Sequence, residues 1–196
     1  MDFRLILQKK SKGFSLIEMI AALVLVSILV PGISLIVRGT MMNIAFTNMA
    51  VLANMEADYA QRNFIKHIKG VSSFSTTAND LSTDSLRFTS YFGGVEYEYY
   101  IDTDGSRTIK YSKGDDPAGI LLKNVVKDTT IDDVNYISKF TYKDKDNNNL
   151  SVPVASSTKV YGVELTFYLL RGESFYKYTT YATADKRWEV ELIKTS

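Results

Sequence analysis

The chain has 196 residues, no cysteine and a formal net charge of +1. The missing cysteine excludes a disulfide framework, a thiol nucleophile and a Cys-rich zinc site, and near-neutrality leaves no strong electrostatic case for nucleic acid. An apolar content of 45% supplies a core and argues against global disorder.

Along the chain, residues 1–13 come first. Arg4, Lys9, Lys10 and Lys12 stand there against Asp2 alone. From Met19 to Val37 no residue is charged, over 19 positions. A helix of roughly 20 apolar residues crosses the hydrocarbon layer, and the basic flank predicts that this end stays in the cytoplasm. Pro31 and Gly32 interrupt the run. Proline removes the backbone bond to residue 27, which predicts a kink or a loosened turn, and membrane helices tolerate such breaks. The run is longer than the core of a secretory signal peptide, and no small-x-small cleavage site follows it. An ordinary anchor leaves Glu18 unexplained. A carboxylate at the head of a membrane segment is costly and points to function.

Helical spacing continues beyond the apolar run. Ala53, Ala57, Ala60, Phe64, Ile68 and Val71 recur at steps of three and four on one face. Asn54, Glu56, Asp58, Arg62 and Lys66 fall on the others. The pattern predicts one helix from residue 14 to 69, stopped by Gly70, with its second half packed on a sheet.

After Gly70 the period changes to two. Residues 85–91 and 95–101 alternate, and "DTDG" at 102–105 is a turn that brings 108–113 back as a hairpin partner. Residues 112–119 form a loop, and 120–126 are apolar without a clear period. Residues 136–142 alternate ahead of a polar loop at 143–149. Residues 160–170 and 173–183 pair across Arg171 and Gly172, and 188–193 alternate again. About seven short strands follow the helix, giving an α+β fold: a long N-terminal helix packed on an antiparallel sheet domain.

"KGFSLIEM", residues 12–19, resembles the processing site of type IV prepilins and type II secretion pseudopilins. Their pattern is a short basic leader ending in Gly, then Phe or Met, Ser/Thr-Leu-Ile/Val-Glu and an apolar helix. The resemblance implies a pilin fold in four parts. Residues 1–13 are a leader that is removed, 14–37 a transmembrane and assembly helix, 38–70 its amphipathic continuation, and 71–196 a β-rich globular domain. It further implies that prepilin peptidase cuts between Gly13 and Phe14 and methylates the amine of Phe14. Glu18 of one subunit then meets the Phe14 amine of a neighbour, since pairing two buried opposite charges relieves both. The partners implied are major and minor pilins or pseudopilins, the peptidase, an inner-membrane assembly platform and the membrane. The N-terminus is cytoplasmic and the C-terminal domain periplasmic or extracellular, before entry into a pilus or pseudopilus.

"YYIDTDGSRTIKYSK", "LLKNVV", "ISKFTYKDKDNNN" and "VYGVELTFYL" follow in the order seen in the J-type minor pseudopilins and W-type minor pilins. That likeness covers most of residues 85–171 and implies a subunit at the fibre tip that helps to start assembly. No Ser-His-Asp set, P-loop or dinucleotide fingerprint is present, and the one histidine, His67, stands beside Phe64 and Ile68 on the helix; the chain is read as a structural protein and not an enzyme. Asp144, Asp146 and Asn148 follow the first positions of a calcium loop. Asn149 replaces the turn glycine and Ala155 stands where a bidentate Glu belongs, so the same residues also read as a turn. No cofactor is expected, with calcium as the one candidate because some pseudopilins bind it. The rival reading is a membrane-anchored surface module, either an adhesin or a DNA-uptake protein. Charge balance beyond residue 38 disfavours a broad DNA-binding face, which needs clustered Lys and Arg.

Overall fold

The computed structural model describes residues 15–102, 106–131 and 133–184. The expected turn residues 103–105 and the expected strand at 188–193 lie outside this range. The chain divides into two compact units, Met1–Asn48 and Met49–Ser196.

One helix, α1, spans Leu16–Lys69 without interruption, and Pro31 lies inside it. In the first unit every described residue is exposed. The second unit holds the remainder of α1 and all the described strands. Here the predicted face is the buried one: Ala53, Ala57, Ala60, Phe64 and Ile68 enter the core, and Val71 follows them. Asn54, Glu56, Asp58, Arg62 and Lys66 are exposed. Three alanines in the stripe keep the helix surface flat, and the larger Phe64 and Ile68 fill the space beyond. The helix stops where expected, but Gly70 needs no positive φ. Its N–H donates to the His67 carbonyl at 3.1 Å, and its carbonyl accepts the Tyr91 N–H at 2.8 Å. The chain therefore passes directly from helix into sheet.

Eleven strands occur among the described residues. Strands β1 (Val71–Phe74), β2 (Ser85–Ser90), β3 (Glu96–Asp102), β4 (Thr108–Lys113) and β5 (Gly119–Lys123) form an antiparallel meander in chain order. Strands β6 (Val125–Val126), β9 (Lys139–Lys143), β10 (Gly162–Arg171) and β11 (Ser174–Thr183) form a second sheet, in which β10 pairs with β11, β9 and β6. Strands β7 (Asp128–Ile131) and β8 (Val134–Ile137) pair only with each other. The central strand β10 alternates, burying Val163, Leu165, Phe167 and Leu169 on one face. Gly172 turns it into β11 at a φ of 60°, a conformation that favours glycine.

The α+β layout is as expected, while the count of about seven strands is corrected by local chemistry. Residues 120–126 split at Asn124, whose φ of 59° suits an asparagine and sends β5 and β6 to different sheets. Residues 136–142 split at Ser138. Its backbone N–H donates to the Lys127 carbonyl at 2.8 Å, its hydroxyl donates to the Val126 carbonyl, and its Oγ accepts the Tyr168 N–H at 3.0 Å. Strand β1 carries an irregularity between Val71 and Ser73, which destroys the two-residue period by which it would have been read.

Phe64 joins the sheets. Its ring meets Tyr99 of β3 edge-on at 5.7 Å and stacks on Phe140 of β9 at 6.2 Å. One turn along, His67 stands 4.6 Å from the Tyr97 ring and shares a hydrogen bond between its Nδ1 and the Tyr99 hydroxyl. Polar ties fix the same helix to the β10–β11 hairpin: Arg171 to Glu56, the Tyr178 hydroxyl to Asn54 Oδ1 at 2.6 Å, and Gln61 Nε2 to the Thr179 carbonyl at 3.2 Å.

Burial, and then the nearby Lys66 and Lys113, push His67 down from 6.5 to about 4. The native state thus resists a proton that the unfolded chain accepts. Its stabilising contribution is complete above about pH 6.5 and is lost as pH falls towards 4. Thermal melts across that interval are expected to show a falling midpoint for the wild type and a flatter profile for His67→Gln. Parallel profiles would remove His67 as the source.

Candidate functional site

The start of α1 is the candidate site, because it places a carboxylate at the head of an uncharged run. The first four N–H groups of any helix lack partners within it. Here the Ser15 N–H donates to Glu18 Oε2 at 2.9 Å, and the Glu18 N–H donates to Ser15 Oγ at 3.3 Å. This is a capping box, the reciprocal pairing of a Ser at the helix cap with a Glu three residues on. Its negative charge also sits at the positive end of the helix dipole. The sequence signal for it is Ser-x-x-Glu at residues 15–18, and the structure adds this role within the chain to the intermolecular one expected of Glu18. Among the described residues, only the Ser15 N–H bonds the carboxylate, and it does so through Oε2. Gly13 and Phe14, the expected cleavage and methylation residues, lie outside the described range.

Beyond Glu18 the helix suits a medium without water. Its hydroxyls are turned inward on its own carbonyls: Ser27 to Val24 at 2.7 Å, Ser34 to Val30 at 2.8 Å, Thr40 to Ile36 at 2.9 Å and Thr47 to Asn43 at 2.8 Å. Such bonds satisfy polar groups that lipid cannot. Among the described residues α1 is the one helix long and apolar enough to cross a membrane.

The expected calcium residues form a turn. Asp144 Oδ1 accepts the N–H groups of Asp146 at 2.9 Å and Asn148 at 2.8 Å, and Oδ2 accepts Asn148 Nδ2 at 3.3 Å. The Asn148 backbone bond first, then the other donors, hold the Asp144 carboxyl below its usual range. Asp146 enters only through its backbone. Both Asp144 oxygens are occupied by N–H donors, and no group of three or more His, Asp or Glu side chains fit to hold a metal occurs among the described residues. His67 lies in the aromatic packing described above.

Residues 8–30 match the prokaryotic N-terminal methylation motif. That match supports the type IV pilin and pseudopilin class. It spans Gly13, Phe14, Ser15 and Glu18 together with the apolar run as far as Val30. Comparison with curated proteins and with solved structures gives no match. A pilin-type motif followed by a membrane-capable helix is consistent with a membrane-anchored protein that assembles with other pilins after processing by prepilin peptidase. It suggests a structural protein and not an enzyme.

Removing the cap should loosen the helix start alone. Ser15→Ala is expected to lower the stability of the first turn by about 1 kcal/mol. Amide exchange by NMR on the full chain in detergent would show faster exchange at Ser15-adjacent and Glu18 amides, with residues beyond Ala53 unchanged. Unaltered exchange at Glu18 would disprove the capping box.

Proposed function

We propose that the chain is a minor subunit of a type IV pilus or of a type II secretion-like filament, placed at the fibre tip and active in starting assembly. It is made with a basic leader, residues 1–13, which prepilin peptidase removes after Gly13, and the new amine of Phe14 is methylated. Residues 14–37 hold it in the inner membrane with the N-terminus cytoplasmic. Residues 38–70 lead to a β-rich domain, 71–196, in the periplasm or outside the cell. An assembly platform in the same membrane then passes it into the filament.

The observation that carries this reading is a carboxylate at the head of the uncharged run 19–37, inside the matched motif. Cleavage after Gly13 would leave a cationic amine one residue ahead of Ser15. An unpaired charge in the bilayer costs at least about 2.5–3.5 kcal/mol. The amine would also lie at the positive end of its own helix dipole. The Glu18 carboxylate of a neighbour relieves both effects, and the capping box is compatible with this role. It uses one carboxylate oxygen and fixes the side chain, leaving the other oxygen to accept the amine. The pairing sets the axial step between subunits. The minor, tip-located role is supported by the order of the strand motifs between residues 85 and 171.

Two variants test the reading. Gly13→Val is expected to block processing, because a branched side chain does not fit a peptidase site shaped for glycine. Mass spectrometry should find Phe14 at the N-terminus of the wild type and the uncut leader in the variant; any other mature N-terminus refutes it. Glu18→Gln keeps an acceptor for the Ser15 N–H, as capping boxes use Gln as well as Glu, but removes the charge. It should be inserted, cleaved and folded, yet be absent from sheared fibres that contain the wild type. Equal incorporation of the two would show that the charge is not an assembly device here.

A further inference from the structure

Methionine is unevenly placed in this chain. Of six methionines, four (Met41, Met42, Met49 and Met55) fall within a short stretch of α1, and none occurs after Met55. The same stretch, residues 39–55, holds no charged residue. Its thioethers are open: Met41 is 65% exposed, Met42 49%, Met49 37% and Met55 64%. The buried core of the second unit is built without methionine among the described residues.

The bilayer does not account for this stretch. A span of about 20 residues suffices to cross it, and residues 16–37 already supply that length ahead of Arg38. The uncharged surface nevertheless continues to Met55, with Ile44, Phe46, Val51 and Leu52 exposed beside the methionines. On the filament reading this surface is covered by neighbouring helices, and thioethers suit it because they adapt to irregular partners. The same sulfur atoms are chemically vulnerable before that cover forms.

We propose that Met41, Met42, Met49 and Met55 are a modification site for peroxide-class oxidants, and that their oxidation prevents this helix surface from entering the assembly. The inference rests on the filament reading. In the reaction the thioether sulfur attacks a peroxide oxygen and the O–O bond breaks. An S–O bond forms, the sulfur loses two electrons, and with hydrogen peroxide the second oxygen leaves as water. The product is a polar sulfoxide in place of an apolar thioether. Buried between helices it cannot use the segment's hydroxyls, since Thr40 and Thr47 are already given to Ile36 and Asn43, and four sulfoxides would compete for the few amide donors of Asn43, Asn48 and Asn54. Packing is thereby weakened. The globular core, lacking methionine, is untouched. The modified chain therefore stays folded and anchored but does not assemble. Once packed in a fibre the sulfur atoms are covered and protected, so sensitivity is confined to the free subunit.

The test uses cells that assemble the filament and carry the full-length chain. A brief hydrogen peroxide pulse precedes assembly, and sheared fibres and inner membranes are then collected separately. Peptide mass spectrometry should find each of the four methionines heavier by one oxygen, about 16 Da, in the membrane pool. In the fibre pool the sulfoxide content at these positions should be lower by about tenfold or more. The quadruple variant Met41→Leu, Met42→Leu, Met49→Leu, Met55→Leu, nearly isosteric, should enter fibres equally with and without the pulse. Equal sulfoxide content in the two wild-type pools overturns the inference, without recourse to any variant. So does equal loss of wild type and variant after the pulse. A wild-type chain that never enters fibres in untreated cells would instead refute the filament reading and this inference with it.

Discussion

The packing of one helix face against two sheets is the constraint on which the globular unit depends. The stripe from Ala53 to Ile68 is buried throughout, and its single large aromatic, Phe64, touches Tyr99 in one sheet and Phe140 in the other. The sheets are also tied directly, by the Tyr142 hydroxyl of β9 donating to the Ser85 carbonyl of β2 at 2.6 Å, but Phe64 is the helix residue whose ring meets both. Truncating a buried Phe generally costs about 3–5 kcal/mol, a large fraction of the stability of a domain this size. Polar ties at Glu56, Gln61 and Asn54 then fix the rotation of the helix over the β10–β11 hairpin.

The first unit obeys a different rule. It has no buried residue among those described, and its polar groups are satisfied within the helix, at the start by Ser15 and Glu18 and further along by Ser27, Ser34, Thr40 and Thr47. One carboxylate thus has two uses. Within the chain it completes a helix end that lipid cannot solvate; between chains, on the proposed reading, it receives an amine. An alanine at this position would remove both at once, whereas glutamine separates them.

Much of this was legible in the sequence where a single period governs a long segment. The helix face from Ala53 to Val71 was read from steps of three and four, and each residue is buried. The paired strands at 160–170 and 173–183 were read from alternation and a glycine turn. Legibility failed where a local bond overrode the period. Ser138 lies within an alternating run, and only its bonds to the 126–127 backbone and to Tyr168 show that the chain changes sheet there. Strand β1 lost its alternation to an irregular register. At the candidate site the Gly-Phe junction and Glu18 stood out as a motif. The cap by Ser15 does not stand out in the same way, because Ser-x-x-Glu is a short pattern nested inside the longer motif and only the two reciprocal hydrogen bonds distinguish it.

The strand order also carries a kinetic consequence. The five-stranded sheet is a meander of chain neighbours, and β10 closes on β11 through a turn at Gly172. These pairings bring together residues close in sequence, so little chain entropy opposes them and they form early. The contacts of Phe64 with Tyr99 and Phe140 join residues far apart in the chain, and they close large loops. These local strand pairs are the low-cost contacts, whereas the β6–β10 pair and the helix contacts each close a longer loop. The helix precedes every described strand in the chain, so its alanine face is made first and stays uncovered until the strands that pack on it have been synthesised.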